Sequence, residues 1–214
     1  MIIAVDGPTA SGKGTISKEL AKHFTLPFLD TGLLYRAVGW TLREQGGDAD
    51  NAADALAACE FDNALLDNPD LRSEVIGGLA SRVSVHPQVR LALEKHQKDF
   101  AYQPAGAVLD GRDIGTVIAP DADVKLFVTA SSEARAVRRF EEMKRRGEHV
   151  SFDDILADIL RRDQRDRNRA TAPLKPAEDA DLLDTTDLTI DAAIQQAIAL
   201  VNAKTSSRRD KDPA

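Results

Sequence analysis

An α/β protein is what this sequence predicts, and three observations predict it. Five short apolar runs, at residues 2–5, 26–29, 105–109, 124–128 and 180–183, have the length of buried parallel strands. Stretches with apolar residues at helical spacing lie between them. The first run breaks at Gly7-Pro8 into a glycine-rich loop, which opens at once onto a helix stripe of Ile16, Leu20 and Phe24.

The loop organises the rest of the chain. Residues 7–15 read G-P-T-A-S-G-K-G-T, so Gly7, Pro8, Thr9, Ala10, Ser11, Gly12, Lys13, Gly14 and Thr15 carry the spacing G-x-x-x-x-G-K between a strand and a helix. Gly7 and Gly12 let the backbone turn sharply and approach a ligand closely. Successive N–H groups then point into one concavity suited to anionic oxygens. The following helix adds the positive end of its dipole, and Lys13 can reach outer phosphates. The flanking strand and helix separate this motif from a chance glycine turn with a surface lysine. Common phosphate loops place Ser or Thr directly after the lysine to hold Mg²⁺, whereas here Gly14 stands there and Thr15 follows. The G-K-G-T form resembles the loop of nucleoside monophosphate kinases.

The second run ends at Asp30-Thr31-Gly32, and the next helix carries Leu34, Ala37, Val38 and Leu42 on one side, with Tyr35 and Arg36 in its early turns. Strand ends that meet helix starts are where open α/β sheets bind ligands. Asp30, Thr31 and Arg36 are therefore candidates for a site facing the loop, while Thr31 is equally a plain helix cap. Gly46-Gly47 is a break. Residues 48–84 are less regular, with an Ala-rich helix near 51–58, turn chemistry at Asp67-Asn68-Pro69-Asp70 and a weak helix over 71–85. This stretch is the candidate for an inserted, mobile subdomain. Pro87 fits the first position of a helix showing Val89, Leu91, Leu93, His96 and Phe100, with Arg90 near its start.

The third run ends in Asp110-Gly111-Arg112-Asp113. A carboxylate there, beside a phosphate loop, suits Mg²⁺ or its waters, and Asp110 is placed to do this. No residue is assigned as a direct metal ligand. Arg112 and Asp113 are either site residues or a simple ion pair with each other. After the fourth run, Ser131 or Ser132 caps a helix that bears Arg135, Arg138 and Arg139 and stops at Gly147. Ser151-x-x-Asp154 has capping-box spacing. The helix it opens carries Ile155, Leu156, Ile159 and Leu160, then R-D-Q-R-D-R-N-R at 162–169. At about 100° per residue, Arg162, Asp166 and Arg169 share an arc close to Ile155 and Ile159. Such a face either leaves the core for a polar cleft or is a salt-bridged surface with Asp166 pairing Arg162. The last helix carries Ile190, Ile194, Ala197, Ile198 and Val201, and residues 204–214 read as a solvated tail.

Composition narrows the function. The chain has 214 residues, 43% of them apolar, enough for one α/β domain with an insertion. Its net charge of −7 argues against a general nucleic-acid binder. Yet residues 135–169 hold eleven of the 28 Lys and Arg, which suggests a local anion site. Cys59 is the only cysteine, so neither an intramolecular disulfide nor a thiolate metal cluster can form. No apolar run reaches membrane length, and Met1 begins directly on a strand with no signal peptide before it, so a cytoplasmic protein is the expectation.

Five segments together resemble the bacterial cytidylate kinase family over nearly the whole chain. They are G-P-T-A-S-G-K-G-T at 7–15, D-T-G-L-L-Y-R at 30–36, S-R-V-S-V-H-P-Q-V-R at 81–90, D-G-R-D-I-G-T-V at 110–117 and R-D-Q-R-D-R-N-R at 162–169. The resemblance implies a P-loop NTPase fold: a five-stranded parallel sheet flanked by helices, with an inserted monophosphate-binding subdomain and a short lid. Residues 1–45 and 86–203 would form the core, 46–85 the insert and about 144–160 the lid. It implies transfer of the γ-phosphoryl of ATP to CMP or dCMP, with Mg²⁺, by a monomer whose partners are small molecules. Carried over residue by residue, the loop at 7–15 holds ATP, with Lys13 on its phosphates. Arg36, Arg112 and Arg169 clamp the CMP phosphate, and Ser81, Arg90 and Asp113 read cytosine. Asp166 takes ribose hydroxyls, held by Arg162. Thr31 and Tyr35 line the same pocket, and Arg162 and Arg169 join Lys13 in neutralising the transferred group. Thr31 stands where the family often has Ser, and the insert is shorter than in better-known members.

The chemistry agrees with that assignment. Cytosine presents an exocyclic amine that a carboxylate such as Asp113 can accept, where uracil presents an oxygen that it repels. Two other readings remain at this point. One is a monophosphate kinase preferring UMP or AMP, which differs only in the base pocket. The other is a nucleotide-gated RNA-binding module using the arginine-rich helix, against which the acidic charge and the lack of interleaved aromatics weigh.

Overall fold

The computed structural model describes residues 1–209. Its centre is a five-stranded, all-parallel sheet in the order β2-β3-β1-β4-β5. The strands are β1 (Ile2–Asp6), β2 (Phe28–Asp30), β3 (Ala107–Gly111), β4 (Val124–Thr129) and β5 (Asp181–Asp184). All five predicted runs are strands, with boundaries shifted by at most two residues. Parallel pairing puts Val5 and Asp30 both opposite Asp110, and Asp6 opposite Gly111. The carboxyl ends of β1, β2 and β3 therefore coincide, and the chain leaves β1 on the opposite side from β4, which makes a binding crevice there.

Side chains alternate across β1. Ile3 and Val5 pack with Ile16 and Leu20 of α1 (Lys13–Phe24) and with Ala193, Ala197 and Val201 of α8 (Ile190–Arg209). Ala4 faces the other way, onto Leu109, Ala101 and Ile114. Ile3, Leu20 and Leu109 are fully buried, each contributing roughly 1.5–3 kcal/mol. The solvated tail expected from residue 204 is instead helical as far as Arg209, because α8 runs on past its last core contact. Residues 210–214 of that expected tail lie outside the described residues.

Residues 46–85 contain, among the described residues, only helical elements. Asn51 caps α3 (Ala52–Ala57), its Oδ1 accepting from the N–H groups of Ala53 and Asp54. Two 3₁₀ turns follow, the second capped by Asn68, and then α4 (Glu74–Val83). Their apolar side chains join those of α2 (Thr31–Glu44) and α5 (Pro87–Ala101): Leu34, Val38, Ala55, Val83, Val89 and Leu93 form one cluster. The buried stripe of α5 is Val89, Leu93 and Gln97, while Leu91 is exposed and so is His96. The sequence reading of this helix mixed two faces.

A hairpin of α6 (Ser132–Arg145) and α7 (Phe152–Asn168) closes the other side, around Ala136, Met143, Ile155 and Ile159. Ser131 caps α6 as one of two expected candidates. The capping box read at Ser151-x-x-Asp154 does not form: Ser151 is the cap residue of α7 but its side chain makes no capping bond. Among the described residues no helix is long and apolar enough to cross a membrane.

Candidate active site

The loop after β1 takes the conformation its glycines permit. Gly7 and Gly12 have φ of 155° and 90°, and Ala10, with φ of 58°, sits in the left-handed region at a cost of roughly 1 kcal/mol. Gly12 is the N-cap of α1, so the helix dipole points into the loop. Gly14 explains the unusual position after the lysine. A Cβ there would lie 3.2 Å from Asp110 Oδ2, so glycine makes room for the carboxylate at the end of β3. Lys13 is buried, with Nζ 3.5 Å from Asp110 Oδ1. Burial lowers the lysine pKa and raises that of Asp110, each partly offset by the other's charge.

Other elements brace this loop. Thr185 Oγ1 donates to the Ser11 carbonyl at 2.9 Å, and Arg138 of α6 donates to Thr185 Oγ1, also at 2.9 Å. Arg135 donates to the Thr9 carbonyl at 3.2 Å and to both carboxylate oxygens of Asp163, at 3.0 and 2.6 Å. Asp6 reaches from the end of β1 to accept from the N–H groups of Ile114 and Gly115, both at 2.8 Å. These two open a single π-helical turn (Ile114–Ile118) directly after Arg112 and Asp113. The sequence reading assigned no site role to Asp6, Arg135, Arg138, Asp163 or Thr185 and did not foresee the π turn. The dense Lys and Arg content of 135–169 and the motif at 162–169 took in Arg135, Arg138 and Asp163, while nothing in the sequence marked Asp6 or Thr185.

Two clefts meet beside the loop. One is lined by Gly12, Lys13, Gly14 and Thr15 together with Asp30, Asp110 and Arg139. The other is lined by Thr31, Tyr35, Ser81, Arg90, Asp113, Arg162, Asp166 and Arg169. Thr9, Gly32, Arg36 and Arg112 line both. The structure thus brings together every predicted substrate residue, from α2, α4, α5, the end of β3 and α7.

Their tertiary partners exclude the local alternatives at Arg112, Asp113 and Thr31 and depart from the expected Arg162–Asp166 contact. Arg112 and Asp113 do not pair with each other: Arg112 Nε donates to Asp166 Oδ2 at 3.0 Å, and Asp113 pairs with Arg90. Arg162 does not hold Asp166. It pairs instead with Asp158, Nε to Oδ2 at 2.6 Å, and with Glu74. Thr31 neither caps α2 nor offers a free hydroxyl, because its Oγ1 donates to the Asp110 carbonyl at 2.7 Å. Arg36 Nη1 donates to the carbonyls of Leu71 and Ser73, at 2.7 and 3.0 Å. The cause is common. These groups are buried or half-buried, and each takes the polar partners its tertiary neighbours supply.

Arg90 is buried and lies over the Tyr35 ring, its guanidinium carbon 5.5 Å from the centroid. Burial raises the Tyr35 pKa. Ser81 Oγ accepts from Arg165 of α7. Burial, and then the proximity of Arg162 and Arg139, push Arg36 down to about 10. Arg169 is likewise lowered by burial and then by Arg90. Its Nη2 donates to Ala172 at 2.8 Å, but its buried Nε has no hydrogen-bond partner. Ser11 Oγ is buried without a partner as well. Crowded guanidinium groups, an orphaned Arg Nε and a loop of inward N–H groups are what two anionic ligands would complete.

Fold and site together define a phosphate-loop nucleoside monophosphate kinase. The comparisons with known proteins make the class particular. A family model described as cytidylate kinase matches residues 3–203. A cytidylate kinase of Rhodopseudomonas palustris is 54% identical over 98% of this chain and 99% of its own length. That of Methylocella silvestris is 53% identical over the full length of both chains. That of a Caulobacter species is 53% identical over 94% of this chain and 93% of its own. The chain belongs to the cytidylate kinase family. Among solved structures, an uncharacterized protein from Eubacterium ventriosum shares the fold, with a TM-score of 0.56 at 16% identity over 95% of this chain and 99% of that one.

Proposed function

We propose that this protein transfers the γ-phosphoryl group of ATP to CMP and dCMP, forming CDP or dCDP and ADP. The observation that carries this reading is the meeting of the two clefts at Arg36 and Arg112. One cleft holds the phosphate loop. The other ends in a buried carboxylate, Asp113, suited to a cytosine amine. That carboxylate argues against UMP, and the family membership argues against both UMP and AMP.

In this reading the loop at 7–15 takes ATP, with Lys13 against its outer phosphates. Arg36, Arg112 and Arg169 take the CMP phosphate, while Ser81, Arg90 and Asp113 take the base. Tyr35 packs against Arg90, and Asp166 faces the ribose. A CMP phosphate oxygen forms its bond to the γ-phosphorus as the bond from that phosphorus to the bridging oxygen of ADP breaks. The acceptor already carries its charge, so no strong base and no phosphoenzyme are needed. Catalysis is in-line positioning plus neutralisation of charge on the transferring oxygens, to which Lys13, Arg162 and Arg169 contribute.

Mg²⁺ belongs to the proposal and, when bound with ATP, neutralises phosphate oxygens. Mg²⁺ sites commonly use one or two carboxylates plus phosphates. Asp110 and Asp30 line the cleft of Lys13, and Thr15 stands exposed at its rim, so these residues would hold the ion or its waters. Residues 46–85 and 144–160 are proposed as the insert and lid that close over the nucleotides. Their support is that the apolar residues of each pack in clusters apart from the sheet strands, the first shared with α2 and α5 and the second with α6. A cytoplasmic monomer acting on small-molecule nucleotides completes the reading.

The test is a panel of CMP, dCMP, UMP and AMP with MgATP, followed by ADP release. CMP and dCMP should exceed UMP and AMP in kcat/KM by at least ~10-fold, the scale of a mismatched hydrogen-bonding pocket. Equal turnover of all four, or preference for UMP or AMP, would overturn the base assignment.

A further inference from the structure

Glu74 opens the first turn of α4, in the proposed insert. A carboxylate there suits the helix dipole, and that alone would leave it facing solvent. It does not stay there. Its Oε2 accepts from Nε of Arg139 on α6 at 2.9 Å and from Nη2 of the same guanidinium. Its Oε1 accepts from Arg162 on α7. Glu74 thus spans two helices that lie 65 and 88 residues away in sequence.

Arg36 completes the cluster. A Cβ placed on Gly77 would come within 2.8 Å of Arg36 Nη2 and 3.2 Å of Arg162 Nη1, so both guanidinium groups crowd one turn of α4. Arg36 spends its Nη1 on the carbonyls of Leu71 and Ser73, immediately before Glu74. Segment 71–74 therefore supplies oxygen acceptors to Arg36, Arg139 and Arg162 together. Each of these arginines lines a cleft beside the phosphate loop. An anionic fork gripped by convergent arginines has the geometry of a phosphate in the same place. Burial raises the Glu74 pKa, but Arg162 and Arg139 outweigh it and hold the carboxyl below its usual range, so it is charged at neutral pH.

We propose that Glu74 is an affinity-determining residue of this kinase: an internal anion that occupies Arg139 and Arg162 until the phosphates of the nucleotide triphosphate displace it. The inference rests on the kinase reading above for the identity of the ligand. Its consequence is a competition. Nucleotide binds only to the fraction of molecules in which the arginines are released, so apparent affinity is lowered by that fraction. Side-chain exposure of 30% at Glu74 leaves water a route to it and the carboxylate room to swing out.

The test compares the full-length wild type with Glu74→Gln, which keeps the shape and removes the charge. Glu74→Asp, which withdraws the carboxylate by one methylene, is the second variant. Glu94→Gln is the charge-matched control, because Glu94 pairs with Lys98 along α5. MgATP binding is measured by calorimetry without CMP, and KM and kcat are measured with CMP. Glu74→Gln should tighten the MgATP Kd by about 3- to 10-fold, as expected when a closed fraction of 70–90% is released. Its KM for ATP should fall with it, Glu74→Asp should lie between, and Glu94→Gln should stay within twofold. A weakened or unchanged Kd in both Glu74 variants overturns the proposal, because a carboxylate that only orients the arginines would weaken binding when removed. Wild type that binds MgATP but shows no CMP-dependent ADP release would instead overturn the kinase reading, and the Kd comparison would still decide the role of Glu74.

Discussion

Arg90 and Asp113 form a buried ion pair across the floor of the second cleft, joining the first turn of α5 to the loop that leaves β3. Each side chain is over nine-tenths buried. Removing one partner of such a pair leaves a charge uncompensated, at a cost of roughly 3–5 kcal/mol. The carboxylate is therefore held in one place by the arginine, which is what reading a base requires.

Asp113→Asn tests that reading with less damage than alanine, since the amide keeps the volume and still gives Arg90 an acceptor oxygen. Discrimination of CMP over UMP, as the ratio of their kcat/KM values, should fall by ~10-fold or more. Asp113→Ala should lose the same discrimination and also melt at lower temperature. An unchanged ratio in both variants contradicts base reading by this carboxylate.

Lys13 faces the loop at one end and Asp110 at the other. Lys13→Ala removes a preorganised cation from the transferring phosphates and should lower turnover with saturating MgATP and CMP by ~10²-fold or more. The variant should remain folded by circular dichroism. Near-normal turnover would refute the role.

Asp6 supplies a pH dependence. Burial raises its carboxyl from the ordinary 3.8 to about 7, against the two backbone N–H bonds that favour the anion. Between those values the folded protein holds a proton that the unfolded chain has released. Stability from this group is complete below the unfolded pKa and is lost as pH rises through about 7. Asp6→Asn abolishes the titration. The Tm deficit of Asp6→Asn against wild type should therefore be larger at pH 5 than at pH 8. A deficit that stays constant or grows with pH contradicts the buried, proton-holding carboxyl.

How much was legible in the sequence follows from the range of each interaction. The strands and the phosphate loop were, because apolar runs and glycine spacing are local properties. Arg36, Arg112, Asp113, Asp166 and Arg169 stood out as candidates because short motifs carry them, and the fold brings them into one cleft. Their partners were not. Arg112 finds Asp166 across 54 residues, and Asp113 finds Arg90 across 23. Neighbouring opposite charges at 112 and 113 suggested a pair, but each is taken by a different packed helix. Nothing in the sequence singled out Glu74 within the weak helix over 71–85, and only the docking of α4 against α6 and α7 gives it arginines. Leu91 and His96 were misread because α5 repeats every four residues through Val89, Leu93 and Gln97, and a buried glutamine hides in an apolar count.

The central claim is that two nucleotides meet phosphate to phosphate at Arg36 and Arg112. The most direct measurement is a crystal structure of the protein with ADP and CMP bound together. The account predicts the ADP β-phosphate inside the loop at 7–15 and the CMP phosphate on Arg36, Arg112 and Arg169, with the gap between them spanned by Lys13 and Arg162. CMP bound elsewhere, or Arg36 still bonded to the Leu71 and Ser73 carbonyls and Arg112 to Asp166 with the phosphate out of reach, would contradict it.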